Sequence, residues 1–357
     1  MVFNRSKLSA MKVTVQSKSG VETFDGGDDE NLLYAGLRSG LGLPYECGTG
    51  TCGTCRARVI EGDVSIAWQE APGLAFVKRD KNEVLLCQAH ARGDCTIRVP
   101  TKVEPIGEAL PRPANFRGTI DRVERLTHDV VEFDVLLDRP MSFLAGQFVA
   151  MSCEDVVGAR AYSMVNYDES TDRLVFVVKR KPSGRFSDWL FEHNISGTQL
   201  RLFGPLGRAT FRPDEQKNFL CIAGGSGVAG MMAIAAQATR NGYLEHNTGH
   251  IFFGVRTLDD CFYTREFADY VRRSNGSLVV TIALSNEAAP QERHPDFPEI
   301  RLASGFVHEV AAREMAGNYE NMVGFVAGPP PMVDGALRML IMEARLPAQF
   351  IRYDKFG

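Results

Sequence analysis

No stretch of this 357-residue sequence stays apolar over the roughly 20 residues needed to cross a bilayer as a helix. The opening MVFNRSKLSAMKV also lacks the apolar segment of a signal peptide. A helical membrane protein is therefore excluded, and a cytoplasmic location is expected. Charge of one sign is scarce too: 40 Lys+Arg against 44 Asp+Glu leave a formal charge of -4. There is no broad basic field for nucleic acid and no polybasic stripe for a membrane surface. Internal repeats and low-complexity tracts are likewise missing. Small molecules and other proteins remain as partners.

With 44% hydrophobic and 24% charged residues, the chain has the composition of a folded globular protein. At roughly 100 to 200 residues per domain, its length predicts two or three domains. Eight cysteines in such a setting are expected to be free thiols and not a disulfide framework. Five of them (Cys47, Cys52, Cys55, Cys87, Cys95) fall in the first 100 residues. Cys153, Cys221 and Cys261 stand singly and read as small buried hydrophobes.

Residues 1–10 read as a frayed tail. Short strand patterns (KVTVQ, ARVIEGDVSIA, CTIRVP) and one helix over Glu30–Ser39, opened by Asp28, Asp29 and Glu30, predict a small β-rich domain. The three prolines of TKVEPIGEALPRP then mark an extended connection. Strand runs RGTIDRVERL, VVEFDVLL, GQFVAMSC and RLVFVVKRK, followed by the helical PSGRFSDWLFEH, predict a barrel or sandwich. From Asn218 onward, strands alternate with a Gly-rich turn and helices, the pattern of βα units on a buried parallel sheet. The domains are expected at 1–102, 114–215 and 216–357, with a linker at 103–113.

Cys47, Cys52 and Cys55 lie in PYECGTGTCGTC at Cys-x₄-Cys-x₂-Cys spacing, with Cys87 following in VLLCQ. This is the plant-type [2Fe-2S] spacing. Gly48, Gly50 and Gly53 would let the backbone wrap closely, so that N–H groups point at the sulfurs. Structural zinc is the competing reading, but zinc sites usually present two short paired hooks, and here three ligands share one loop. Cys95 sits in the alternating CTIRVP and reads as a strand residue, which leaves Cys87 as the fourth ligand.

With these motifs, and with EGDVSIAWQEAPGL, the chain resembles the iron-sulfur flavoprotein reductases that feed bacterial multicomponent oxygenases. Reductases of toluene-type diiron monooxygenases are the nearest in kind, and Rieske dioxygenase reductases are similar. The resemblance implies a multidomain α/β architecture. A β-grasp plant-type ferredoxin comes first, an antiparallel flavin-binding β-barrel second, and an α/β nucleotide-binding domain with a parallel sheet last. It also implies FAD in preference to FMN, because the ferredoxin is N-terminal.

Arg160, Ala161, Tyr162 and Ser163 match the family's Arg-x-Tyr-Ser flavin motif. The resemblance assigns Arg160 to the pyrophosphate, Tyr162 to the isoalloxazine and Ser163 to the hydride-accepting nitrogen, which makes Tyr162 and Ser163 the candidate catalytic pair. Gly184, Arg185, Phe186 and Ser187 open a helix whose N-terminus suits a phosphate. Gly224, Gly225, Ser226 and Gly227 form a strand-turn-helix phosphate cradle that is not the Rossmann fingerprint. Gly328, Pro329 and Pro330 of GPPPM match the second nucleotide motif. There the preceding residue is Ala327, where relatives often carry Cys. Tyr353 and Phe356 are offered as flavin-facing aromatics, with core packing as the alternative. The carboxylates of Asp259 and Asp260 would repel a 2′-phosphate, while Arg256 alone would attract one, so NADH is expected over NADPH.

The expected activity is a relay: NADH gives a hydride to FAD, and single electrons pass through the cluster to an oxygenase hydroxylase component or a separate ferredoxin. A stand-alone flavin/iron-sulfur reductase and a redox sensor are the alternatives.

Overall fold

The computed structural model describes residues 11–355 except Asp28, Ala109 and Asn194. The expected tail at 1–10 and the candidate Phe356 lie outside the described residues.

In the first segment, strands β1 (Met11–Ser17), β2 (Gly20–Gly26), β3 (Arg56–Glu61), β5 (Glu83–Leu85) and β7 (Cys95–Arg98) form one sheet in the order β2-β1-β7-β3-β5. β1 and β7 run parallel, and β2, β3 and β5 pair antiparallel. Strands β4 (Val64–Ile66) and β6 (Ala89–Ala91) make a separate ribbon. Helix α1 spans Leu32–Arg38, shorter than the expected Glu30–Ser39. Asn31 caps it, its side-chain oxygen accepting from the Tyr34 N–H at 2.9 Å, so the preceding acids do not open the helix. Glu30 instead pairs with Arg38 at 2.8 Å and accepts from Asn115 at 2.7 Å.

The Pro-bearing connection is extended but tied down. Ser19 Oγ donates to the Val103 carbonyl at 2.6 Å, Gly42 N–H to Glu104 at 2.8 Å, and Ile106 N–H to Gly40 at 2.7 Å. These bonds satisfy backbone groups that a free tether would leave to water.

The middle of the chain forms a six-stranded sheet. Its strands are β8 (Ala114–Arg125), β9 (Val130–Met141), β10 (Phe148–Cys153), β11 (Val156–Ser163), β12 (Thr171–Lys179) and β13 (Gln199–Leu206), in the order β11-β10-β13-β8-β9-β12. Helix α2 (Arg185–Glu192) falls where the helical stretch was expected.

The last segment is an all-parallel sheet in the order β17-β16-β15-β14-β18-β19, formed by β14 (Asn218–Gly224), β15 (Gly249–Val255), β16 (Leu278–Leu284), β17 (Arg301–Ser304), β18 (Met322–Gly328) and β19 (Ile351–Lys355). Helices α3 (Val228–Arg240), α4 (Thr264–Arg273), α5 (Val307–Met315) and α6 (Pro330–Met342) accompany it. Leu220, Ile222 and Phe252 pack with Val310, Val333 and Leu340 in one core cluster, which is why the central strands read as continuous apolar runs. Pro329 and Pro330 do not end a strand in a loop. Pro330 is the first residue of α6, where a missing N–H costs nothing.

By contact density the chain divides into two compact units: Met1–Phe116 with Ala150–Ala161 and Leu200–Leu206, and the remainder. No helix among the described residues is long and apolar enough to cross a membrane.

Candidate functional site

The cysteine loop between α1 and β3 curls around its own sulfurs. The N–H groups of Thr49, Thr51 and Cys52 each point at Cys47 Sγ at 3.4 Å, and Thr54 N–H points at Cys52 Sγ at 3.5 Å. Positive φ at Gly50 (91°) and Gly53 (77°) makes the curl possible. A Cβ at Gly50 would lie 2.8 Å from Gln88 Nε2, and one at Gly53 would lie 2.8 Å from Phe76. The intrusion is thus into the loop's neighbours and not into the sulfurs themselves.

Cys87 comes to this loop from the turn after β5. Its Sγ lies 3.3 Å from Cys55 Sγ and takes a 3.6 Å contact from the Gln88 amide. Cys47, Cys55 and Cys87 are buried and Cys52 is half-buried. The Cys47 thiol is pulled down to about 5, first by its hydrogen bond with Cys52 and then, against burial, by the three backbone N–H groups. Cys87 is pushed up by the adjoining Cys55 sulfur and by burial. Four crowded sulfurs, with amides aimed at them, suit thiolates held by a shared cationic centre, and this donor set fits a [2Fe-2S] cluster. Cys95 is elsewhere, buried in β7 opposite Val13. Of the three scattered cysteines only Cys221 is a buried hydrophobe; Cys153 and Cys261 are half-buried, a correction to the expectation for all three.

Several residues around this loop escape sequence reasoning. The Tyr34 hydroxyl donates to the Gly48 carbonyl at 2.9 Å while its ring stacks on Phe203 at 4.0 Å. Phe76 lies over Gly53 with 57% of its surface exposed. Tyr34 and Phe76 are ordinary core candidates by pattern, so no sequence signal marks them.

β11 carries Arg160, Tyr162 and Ser163 at its end, Arg160 and Tyr162 sharing a face by strand alternation. Arg160 Nη1 donates to the Ala159 carbonyl at 2.9 Å, and its guanidinium lies 5.1 Å from the Trp68 ring centroid. A Cβ at Gly158 would sit 2.7 Å from Trp68, so that indole is packed on β11. Tyr162 meets Phe186 of α2 with ring centroids 5.4 Å apart. Gly184 is the N-cap of α2, Arg185 is exposed and Phe186 is buried. The Ser187 hydroxyl bonds back to Gly184 and Lys181, shaping the turn, while first-turn N–H groups have no intrahelical partner.

In the parallel sheet β14 has β15 on one side and β18 on the other, and chain order reverses between β14 and β18. Ligands of open α/β sheets bind at such a switch point, outside the carboxyl ends of the strands. Both glycine motifs converge there. Gly224–Gly227 ends β14, Gly328 ends β18, and a Cβ on Gly328 would lie 3.0 Å from Gly224 N. Gly224 and Gly328 are buried, Gly225, Ser226, Gly227 and Pro330 are half-buried, and Pro329 is exposed. Tyr353 is exposed on β19. Of the two carboxylates after β15, Asp259 is exposed, but Asp260 is buried and caps its own turn by accepting from Thr257 N–H and Oγ1 at 3.1 Å.

Three family models match the chain in succession: a 2Fe-2S iron-sulfur cluster binding domain over residues 14–92, an oxidoreductase FAD-binding domain over 117–211 and an oxidoreductase NAD-binding domain over 221–338. The chain is 34% identical over 332 residues to the ferredoxin–NAD(P)(+) reductase CarAd of Metapseudomonas resinovorans, covering 92% of this chain and 95% of that protein. It is 31% identical to the ferredoxin–NAD(+) reductase component of the alkene monooxygenase system of Xanthobacter autotrophicus, covering 94% of this chain and 98% of that one. Among solved structures, a ferredoxin reductase in carbazole 1,9a-dioxygenase superposes with a TM-score of 0.80 at 32% identity, over 97% of this chain and 98% of that one.

Proposed function

The chain belongs to the ferredoxin–NAD(P)+ reductase family whose members join [2Fe-2S], FAD-binding and NAD-binding domains, and from that premise we propose that it carries electrons from NADH to the oxygenase hydroxylase component, or a separate ferredoxin, of a bacterial aromatic-oxidising system. The observation that carries this reading is the sulfur cage of Cys47, Cys52, Cys55 and Cys87, on one chain with a dinucleotide crevice between β14 and β18. When bound, the flavin and cluster supply the conversion of a paired-electron hydride into single electrons.

The protein's part is to bind and orient. The four cysteines hold the irons, and the amides of Thr49, Thr51, Cys52 and Thr54 stabilise negative sulfur. Arg160 and the start of α2 at Gly184–Ser187 would hold the flavin pyrophosphate, and Tyr162 and Ser163 would serve its isoalloxazine, the one with a ring and the other with a hydroxyl. Gly224–Gly227 cradles the coenzyme phosphates, and Gly328–Pro330 borders the nicotinamide. NADH is favoured over NADPH because Arg256, the one cation in the loop after β15, is already paired with Asp129 at 3.1 Å.

The domains we assign are 1–102, 114–215 and 216–357, with 103–113 between. NADH-driven reduction of cytochrome c by the full chain tests the reading, with ferricyanide as the control acceptor. A protein comprising residues 112–357 is expected to keep ferricyanide reduction and lose most cytochrome c reduction. It loses Trp68 from Gly158 and Tyr34 from Phe203 as well, so its flavin affinity should fall. Equal cytochrome c turnover by the two proteins would refute the relay.

Residues 1–100 carry 12 Lys+Arg and 12 Asp+Glu, which leaves the ferredoxin segment no net charge to steer with. Exposed Glu46 and Phe76 near the cysteine loop offer one carboxylate and one apolar face for docking. Raising salt from about 50 to about 500 mM shortens the Debye length from roughly 14 to 4 Å and should slow acceptor reduction only a few-fold. A loss of about a hundredfold, with ferricyanide turnover unchanged, would show that charge pairing dominates docking.

A further inference from the structure

Asp129, in the turn between β8 and β9, is the hub of a cluster that reaches the nucleotide crevice. Its Oδ2 lies 3.1 Å from Arg256 Nη2, 3.0 Å from Lys179 Nζ and 3.7 Å from His128 Nε2. Arg256 stands just past the carboxyl end of β15, where a 2′-phosphate on the adenine ribose would seek a guanidinium. Lys179 leans on the phosphate turn, its Cδ 3.6 Å from where a Cβ on Gly225 would be. Asp260 also lies 3.6 Å from Arg256 Nε, but it is committed to capping its own turn. Asp129 itself is held by the Thr127 hydroxyl at 3.2 Å and by Arg180 N–H on its carbonyl at 2.7 Å. His128, Asp129 and Asp260 have donor atoms close enough for a metal, yet Lys179 and Arg256 already supply the positive charge there.

We propose that Asp129 is a specificity-determining residue that neutralises Arg256 and Lys179 and so excludes the 2′-phosphate of NADPH. Discrimination is then set by an unfavourable element, a carboxylate placed where the phosphate would need bare cations. Removing its charge leaves Lys179, Arg256 and His128 facing only Asp260, a net positive pocket beside the phosphate turn. The inference rests on the reading that the crevice between β14 and β18 binds a nicotinamide dinucleotide.

The test is calorimetric titration of the flavin-loaded full chain with 5′-ADP and with 2′,5′-ADP. Asp129→Asn, which keeps the shape of the turn, is expected to tighten 2′,5′-ADP by about tenfold or more, the scale of one charge-assisted hydrogen bond, while 5′-ADP changes little. The ratio of kcat/KM for NADPH over NADH should rise in step, and adding Arg256→Gln should erase the gain. Unchanged 2′,5′-ADP affinity in Asp129→Asn, with 5′-ADP still bound, would overturn the proposal. So would a marked loss of 2′,5′-ADP affinity in Arg256→Gln alone, since the guanidinium would then already reach the phosphate; this arm stands whether or not Asp129→Asn folds. If neither nucleotide binds the unaltered protein, the crevice reading falls, and the proposal with it.

Discussion

Cys87→Ser is expected to abolish the visible absorption and the stoichiometric iron of the [2Fe-2S] cluster, and with them nearly all NADH-driven cytochrome c reduction. Cys87 is 4% exposed, and its sulfur sits 3.3 Å from Cys55 Sγ with the Gln88 amide behind it. A serine hydroxyl is harder and far less acidic than a thiol, so it supplies the wrong ligand at the right place. Cys95→Ser should leave the spectrum intact, because Cys95 faces the packing of β7 beside Val13 and Gly62. Its cost is that of placing a hydroxyl among apolar neighbours, about 1–3 kcal/mol of stability. Iron analysis and absorbance of the two variants decide the assignment. A bleached Cys95→Ser beside a coloured Cys87→Ser would reverse it.

The contrast between those two cysteines shows what a sequence can carry. Ligand spacing within one loop is local, and PYECGTGTCGTC encodes both the sulfurs and the glycines that let amides turn toward them. The glycine turn after β14 is local in the same way, since strand, turn and helix follow directly along the chain. Where a feature depends on partners far apart in sequence, the pattern was silent or misleading. Asp28, Asp29 and Glu30 look like a helix start, yet Asn31 takes the cap because its side chain reaches the Tyr34 N–H, and Glu30 is drawn to Arg38 and Asn115. No sequence signal names the partner of Trp68, and it is Gly158, far along the chain, that leaves room for the indole to pack on β11. Asp260 looks like a free carboxylate and is spent on its own turn, whereas Asp129, 127 residues before Arg256, accepts the hydrogen bond from its guanidinium. Pro330 in GPPPM becomes a helix start signal only once the strand before it is known, because proline suits a first helical position.

Gly227→Ala is the second substitution with a large expected effect, and its reason is purely steric. Gly227 has φ -61° and ψ -15°, a conformation any residue adopts, so backbone strain gives no objection to alanine. The objection is space: a Cβ there would lie 2.4 Å from the Ala327 carbonyl oxygen and 2.8 Å from Gly328 N. Those are backbone atoms of β18, held in register with β14 through Ala223 and Ala327, so they cannot swing aside like a side chain. The turn must lift or the two strands must part, at a cost in the upper part of the roughly 1–3 kcal/mol range for overpacking, or above it. Either response widens the switch-point crevice where both glycine motifs meet. KM for NADH should therefore rise by about a hundredfold, while the flavin and cluster spectra, which depend on other segments, stay as they are. Gly225→Ala is the informative control. Gly225 has φ +54°, so alanine there carries a conformational cost of about 1 kcal/mol, but its nearest neighbour is Lys179 Cδ at 3.6 Å and nothing is forced apart. Steady-state kinetics and thermal melts of both variants separate the effects. If Gly227→Ala kept the original KM while losing only melting temperature, the close approach of turn and strand would be packing alone, and the phosphate site would have to be sought elsewhere.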